Sequence, residues 1–96
     1  MAQTPDKDFF DRADKHIFLS NDQVKECSPG EVSASMMYAT ARFNAWLTAS
    51  GYASADQMRA NKDKNIQYFM DEYRQMLEIN FNQYIENMDS YLGRKK

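Results

Sequence analysis

Cysteine, glycine and proline are all scarce in this 96-residue chain, which has one cysteine, three glycines and two prolines. A single cysteine, Cys27, excludes an internal disulfide and any metal site built from several thiolates. So few glycines and prolines leave few tight turns, which favours a small number of long helices over many short strands. Three glycines also cannot form a glycine-rich phosphate-binding loop.

An excess of positive charge is absent as well, because the formal net charge is −2 and the sequence pI is about 5.3. Proteins that bind a nucleic-acid backbone normally have a basic face, so we expect no nucleic-acid partner. The segment from Met1 to Asp6 lacks the basic and then apolar regions of a signal peptide. These features predict a cytoplasmic protein.

The chain does contain a stretch from Val32 to Ala55 that has one charged residue, Arg42. A helix that is apolar nearly all round lies inside a fold rather than on its surface. This stretch therefore predicts a central helix, packed between two others. It does not predict a membrane span, because Arg42 and Asn44 lie at its middle, and we expect no membrane partner.

Capping residues divide the chain into three predicted helices. Thr4-Pro5 begins the first helix, since proline at the first helical position loses no hydrogen bond. Ser28 and Glu31 form a capping box for the second helix, and Ser54 and Gln57 repeat the scheme for the third. Glycines follow the second and third helices, at Gly51 and Gly93. The predicted helices span about residues 5–27, 29–50 and 54–92.

The third predicted helix has the longest apolar stripe, with residues three and four apart over about seven turns. The stripe, called the C-terminal stripe below, consists of Ile66, Met70, Tyr73, Leu77, Phe81, Tyr84, Met88 and Tyr91. The pattern fades over residues 56–65, so this segment either bends away, with a bend or break near 61–65, or forms a separate short helix. We predict one all-α domain over residues 1–96, a three-helix bundle with a long C-terminal helix.

Catalytic and metal-binding residues are hard to assemble from this sequence. His16 is the only histidine, so any pair of a histidine and a nucleophile must include it. Cys27 lies about 16 Å further along the same predicted helix, too far for the two side chains to meet. A dinuclear metal site in a helical bundle needs a glutamate and a histidine three residues apart, and no such pair occurs. We therefore predict no enzyme, no metal ion and no other cofactor.

Arg42 has two interpretations, because a charge among apolar residues must be paired or reach solvent. In the interpretation that we favour, it forms a structural ion pair with an acid such as Asp14, Asp22 or Glu26. In the other, it lines a pocket for an anionic or aromatic ligand. The candidate ligand-binding residues are Arg42, Tyr38, Trp46 and His16.

Apolar residues that fall outside the helical stripes favour association with another protein. The third predicted helix is about two turns longer than its neighbours. Its aromatic end must be covered by the N-terminus, by residues 56–65 or by a second copy. Candidate interface residues are Phe18, Leu19, Tyr68 and Ile79. The leading hypothesis is a non-enzymatic interaction module that forms a homodimer or binds an unidentified protein, and the alternative is a ligand-binding protein.

Several segments resemble a family of short bacterial proteins. These segments are Phe9–Asp14, Ser33–Ser35, Tyr38–Ala45 and Tyr68–Phe69. The resemblance extends over about residues 9–92, and the family is catalogued only as a domain of unknown function. It implies a stand-alone, all-helical cytoplasmic protein of bacterial origin, and it assigns no activity, cofactor or functional residue to any position.

Overall fold

The computed structural model describes residues 6–94, which contain four α-helices and no strand. The helices are α1 (Phe9–Gln23), α2 (Pro29–Ala49), α3 (Ala55–Ala60) and α4 (Lys62–Tyr91). The all-α class predicted from the sequence is therefore confirmed. The helices number four rather than three, because the third predicted helix is divided into α3 and α4.

The division between α3 and α4 falls at Asn61, whose backbone has a non-helical conformation with φ −110° and ψ 10°. Its carbonyl accepts the first hydrogen bond of α4, from the Asn65 N–H at 3.0 Å. A second asparagine, Asn87, kinks α4 near its end with φ −127° and ψ 26°, and its side-chain amide donates to the Gln83 carbonyl. Asparagine suits both places because its side chain competes for backbone hydrogen bonds and so weakens a regular helix.

The N-terminal boundary of α1 lies later than the sequence pattern predicts. The predicted start at Thr4-Pro5 lies outside the described residues. Within them, Asp6 holds the first turn: its carbonyl accepts from the Phe9 N–H at 3.1 Å, and its carboxylate accepts from the Asp8 N–H at 2.9 Å. Such an Asp side chain commonly bonds to the backbone two residues on.

The capping box predicted for α2 is confirmed. The Ser28 hydroxyl accepts from the Glu31 N–H at 3.2 Å, and the Glu31 carboxylate accepts from the Ser28 N–H at 3.0 Å. The backbone N–H of Ser28 and then its hydroxyl, which also donates to the carboxylate, lower the pKa of Glu31 below its ordinary value. Hydrogen bonds to the charged form of a carboxyl group favour that form.

The end of α4 confirms the predicted glycine stop. Gly93 has φ +67°, a left-handed conformation that strains any residue with a Cβ. The Arg94 N–H donates to the Asp89 carbonyl and the Gly93 N–H to the Ser90 carbonyl. This pair of bonds is the Schellman motif, which satisfies carbonyls that the last helical turn leaves unpaired. Gly51, in contrast, has no positive φ, and α2 ends before it at Ala49.

Two compact units make up the chain, one ending at Arg59 and the other beginning at Ala60. In the first unit α1 contacts α2, and Val32, which is 3% exposed, is the one buried hydrophobic residue among those described. The expected enclosure of α2 is not met in this unit, since five of its large side chains are 52–68% exposed. They are Met37, Tyr38, Phe43, Trp46 and Leu47. The second unit contains α4, which has no buried residue.

Candidate functional site

Three of the four candidate ligand-binding residues lie on one face of α2, where each is four residues from the next. Tyr38, Arg42 and Trp46 line a shallow depression that is open to solvent. The remaining lining residues are Ala39, Phe43, Ala45 and Ala49 of α2 and Met58 of α3. The Phe43 and Trp46 rings are in contact, with centroids 5.5 Å apart. We call this surface the α2 depression.

Arg42 is exposed, and it forms no ion pair within residues 6–94. The structural ion pair with Asp14, Asp22 or Glu26 is therefore absent from this part of the chain, and Asp22 instead lies 3.4 Å from Lys25. The physical reason is that the uncovered face of α2 leaves the guanidinium in water. A solvated charge needs no protein partner.

His16, the fourth candidate, does not line the α2 depression. It is exposed on α1, where its backbone carbonyl accepts from the Ser20 hydroxyl at 2.9 Å. Cys27 is a free, exposed thiol that donates to the Gln23 carbonyl. Within residues 6–94, no three histidine, cysteine, aspartate or glutamate side chains are grouped so as to hold a metal ion. No helix in the same range is long and apolar enough to cross a membrane.

The C-terminal stripe on α4 is an apolar feature that the described residues leave uncovered. All eight of its residues are exposed, by 39–61%. The Tyr84 and Tyr91 rings meet with centroids 4.8 Å apart, so the stripe stays on one face across the kink at Asn87. The sequence pattern predicted these residues as the apolar stripe of a bundle helix, and the structure leaves all of them exposed.

The candidate interface residues are also exposed. They are Phe18, Leu19, Tyr68 and Ile79. They are scattered over α1 and α4, whereas the stripe residues are contiguous. The polar side of α4 has internal partners: Gln67 donates to Asp71 at 2.8 Å, and Arg74 lies 3.5 Å from Glu78. The stripe is therefore a contiguous apolar face of α4 that the described residues leave exposed.

Comparison with known proteins identifies the family. Residues 9–85 match the family described as protein of unknown function (DUF3144). The chain belongs to this family. The solved NMR structure of the protein NB7890A from Shewanella sp is 41% identical to it in sequence, with a TM-score of 0.79. That similarity covers 98% of this chain and 100% of the other. No curated protein matches this DUF3144 member, and the resemblance to a family of unknown function is confirmed.

Proposed function

We propose that this DUF3144 protein is a non-enzymatic interaction module that self-associates through the C-terminal stripe of α4. The observation that carries the proposal is the exposure of all eight stripe residues, in a compact unit without a buried residue. Helices in proteins gain most of their stability by packing an amphipathic face. A helix of 30 residues with such a face therefore needs a partner.

The area of the stripe fits a stable protein–protein interface. A large side chain has roughly 200 Å² of surface, and about half of that is exposed at each of the eight stripe residues. The stripe therefore offers about 800 Å² per copy, the amount that one partner buries in a typical specific complex. Monomeric proteins seldom expose a contiguous apolar patch of this size.

The composition of the stripe also fits an interface. Four of its eight members are aromatic and two are methionine, and none is charged. Aromatic residues and methionine are enriched at the centres of interfaces, whereas lysine, glutamate and aspartate are depleted there. The aromatic members are Tyr73, Phe81, Tyr84 and Tyr91.

Light scattering on a size-exclusion column tests the proposal directly. At tens of micromolar we expect a mass of about 22 kDa, twice the 11.2 kDa of one chain. A mass of one chain across this range would contradict self-association. That result would instead support the three-helix bundle predicted from the sequence, in which the long helix finds its cover within the same chain.

We also propose that the protein is bacterial and cytoplasmic. The relative from Shewanella, at 41% identity over nearly the whole chain, supports a bacterial origin. The single cysteine, which is free and exposed, is compatible with a reducing compartment. Fractionation of cells that express the tagged protein would check the location.

A second candidate function is the binding of an anionic or aromatic ligand in the α2 depression. It is supported by the grouping of Tyr38, Arg42 and Trp46, because a cation beside aromatic rings suits an aromatic carboxylate. The guanidinium supplies fork-shaped donors for the carboxylate, and the rings supply stacking surface. Within residues 6–94 no carboxylate competes for Arg42.

Fluorescence of Trp46, the only tryptophan, tests this candidate with benzoate and with inorganic phosphate. We expect benzoate to quench the emission with a Kd of about 1 mM and Arg42→Gln to weaken binding at least tenfold. Arg12→Gln, which removes a cation from α1, is the matched control. Neither variant should change the free energy of unfolding by more than about 0.5 kcal/mol, as for other surface substitutions. No saturable quenching by either probe would exclude the site.

A further inference from the structure

We infer that the stripe of α4 pairs with the stripe of a second copy in the antiparallel direction, about a two-fold axis that lies midway between Leu77 and Phe81, level with Ile79 along the helix. This inference rests on the proposed self-association and adds the orientation and register of the two helices. Its basis is the order of residues in the stripe, together with the geometry of α4. A pair of this kind is isologous, which means that the same surface of both copies forms the interface. Neither copy then has an unpaired stripe that could bind a third.

The stripe has nearly the same spacing when it is followed from either end. Counted from Ile79, Leu77 and Phe81 each lie two residues away, and Met70 and Met88 each lie nine residues away. The other two pairs, Tyr73 with Tyr84 and Ile66 with Tyr91, match to within one residue. Two antiparallel copies therefore bring every stripe residue opposite a stripe residue of the partner. Each of the four pairs forms one kind of layer across the interface.

The irregular step of the stripe falls at the proposed axis. Two four-residue steps follow each other, from Tyr73 to Leu77 and from Leu77 to Phe81, whereas fours and threes alternate elsewhere. Consecutive four-residue steps relax the left-handed supercoil that a strict heptad pattern imposes. With the axis level with Ile79, the step from Leu77 to Phe81 in one helix meets the same step in the other, and the layers on both sides stay within one residue of register.

The structure keeps both ends of the stripe on the face that this pairing needs. The kink at Asn87 separates Tyr84 from Tyr91. A kink at this point could turn Tyr91 away from the face that carries the rest of the stripe. The contact between these two rings, with centroids 4.8 Å apart, shows that Tyr91 remains beside Tyr84 on the same side. The layers formed by Ile66 with Tyr91 and by Met70 with Met88 are therefore available.

The distribution of side-chain sizes favours the antiparallel direction over the parallel one. Three of the four stripe residues after Ile79 are aromatic, but only one of the four before it is. Antiparallel pairing places an aliphatic side chain against an aromatic one in two of the four kinds of layer, Leu77 with Phe81 and Ile66 with Tyr91. A parallel pair stacks each aromatic residue on its own copy at one end. Since the distance between helix axes depends on the side chains between them, that pair would splay apart.

Helix dipoles also favour the antiparallel direction over the parallel one. In an antiparallel pair the N-terminus of each α4, with partial positive charge, lies beside the C-terminus of its partner, with partial negative charge. A parallel pair places like ends together.

Disulfide cross-linking between single-cysteine variants tests the orientation. In a Cys27→Ser background, Met70→Cys and Met88→Cys are prepared separately, co-refolded and oxidised with glutathione. Antiparallel pairing places position 70 opposite position 88, whereas two copies of position 70 lie about 27 Å apart by the helical rise. A disulfide needs Cα atoms within about 7 Å. We therefore expect the mixture to cross-link at least tenfold faster than either variant alone.

The outcomes separate this inference from the proposed function. Fast cross-linking of Met70→Cys with itself, at a mass of two chains, would overturn the antiparallel orientation and leave self-association intact. A mass of two chains without any cross-link would place the interface off the stripe and overturn the register. A mass of one chain for the Cys27→Ser protein would overturn both. Tyr73→Cys mixed with Tyr84→Cys repeats the measurement in another layer, in case a methionine variant fails to fold.

Discussion

Replacement of Leu77 by aspartate is expected to make the protein monomeric at tens of micromolar. Leu77 is the least exposed member of the stripe, at 39%, and it lies beside the proposed two-fold axis. The substitution therefore places two carboxylates close together in an apolar interface, where neither has a partner. Burying an unpaired charge is costly, so the Kd for self-association should rise at least a hundredfold, or by about 2.8 kcal/mol. Sedimentation equilibrium over a range of concentrations measures it.

Two further aspartate variants of α4 test whether the loss of association depends on the position of the added charge. Gln75→Asp adds the same charge two residues away, on the opposite side of the helix, and should leave the Kd within about twofold of the original value. Ile79→Asp tests the candidate interface that includes Phe18, Leu19 and Tyr68. If Ile79→Asp dissociates the protein and Leu77→Asp does not, the interface lies on that surface and the stripe has another role.

The local features of this fold could be predicted because each depends on residues within one helical turn. Ser28 and Glu31 are three residues apart, and their reciprocal hydrogen bonds form without help from the rest of the chain. Gly93 likewise ends α4 through its own conformation. For α3, Ser54 accepts from the Gln57 N–H as predicted, and the Gln57 side chain accepts from the Ala53 N–H, one residue before the cap.

The sequence could not predict what covers each apolar face. The spacing of apolar residues shows which side of a helix is apolar, but it does not show what packs against that side. The same pattern in the C-terminal stripe fits a core helix of a monomer and an interface helix of a dimer. Arg42 illustrates the consequence. Its expected ion pair followed from the assumption that α2 is enclosed, and the exposed face of α2 removes the need for it.

The α2 depression could be predicted in part. Tyr38, Arg42 and Trp46 are four residues apart, so any continuous helix places them on one face. Met58 was missed because it comes from α3, beyond the turn at residues 50–54. His16 was included on the assumption that α1 packs beside this face. Such contacts between helices depend on the tertiary arrangement, and that arrangement cannot be derived from the spacing of residues within one helix.

The melting temperature of the protein is expected to rise by about 7 °C when its concentration is raised a hundredfold. Ordering the backbone costs about 1–2 kcal/mol per residue, and Val32 is the one buried hydrophobic residue within residues 6–94. A core of this size does not balance that cost. Folding and association should therefore occur together, and melting should depend on concentration.

The size of the shift follows from the entropy of unfolding. A hundredfold change in concentration contributes about 2.7 kcal/mol. Two 96-residue chains unfold with an entropy of about 0.4 kcal/mol per kelvin, so the ratio is about 7 °C. Circular dichroism at 1 and 100 μM measures the shift, with Leu77→Asp as the control that should show no cooperative melting transition at either concentration. A melting temperature of the original protein that does not change would mean that contacts within one chain suffice, and it would contradict the coupling of folding to association.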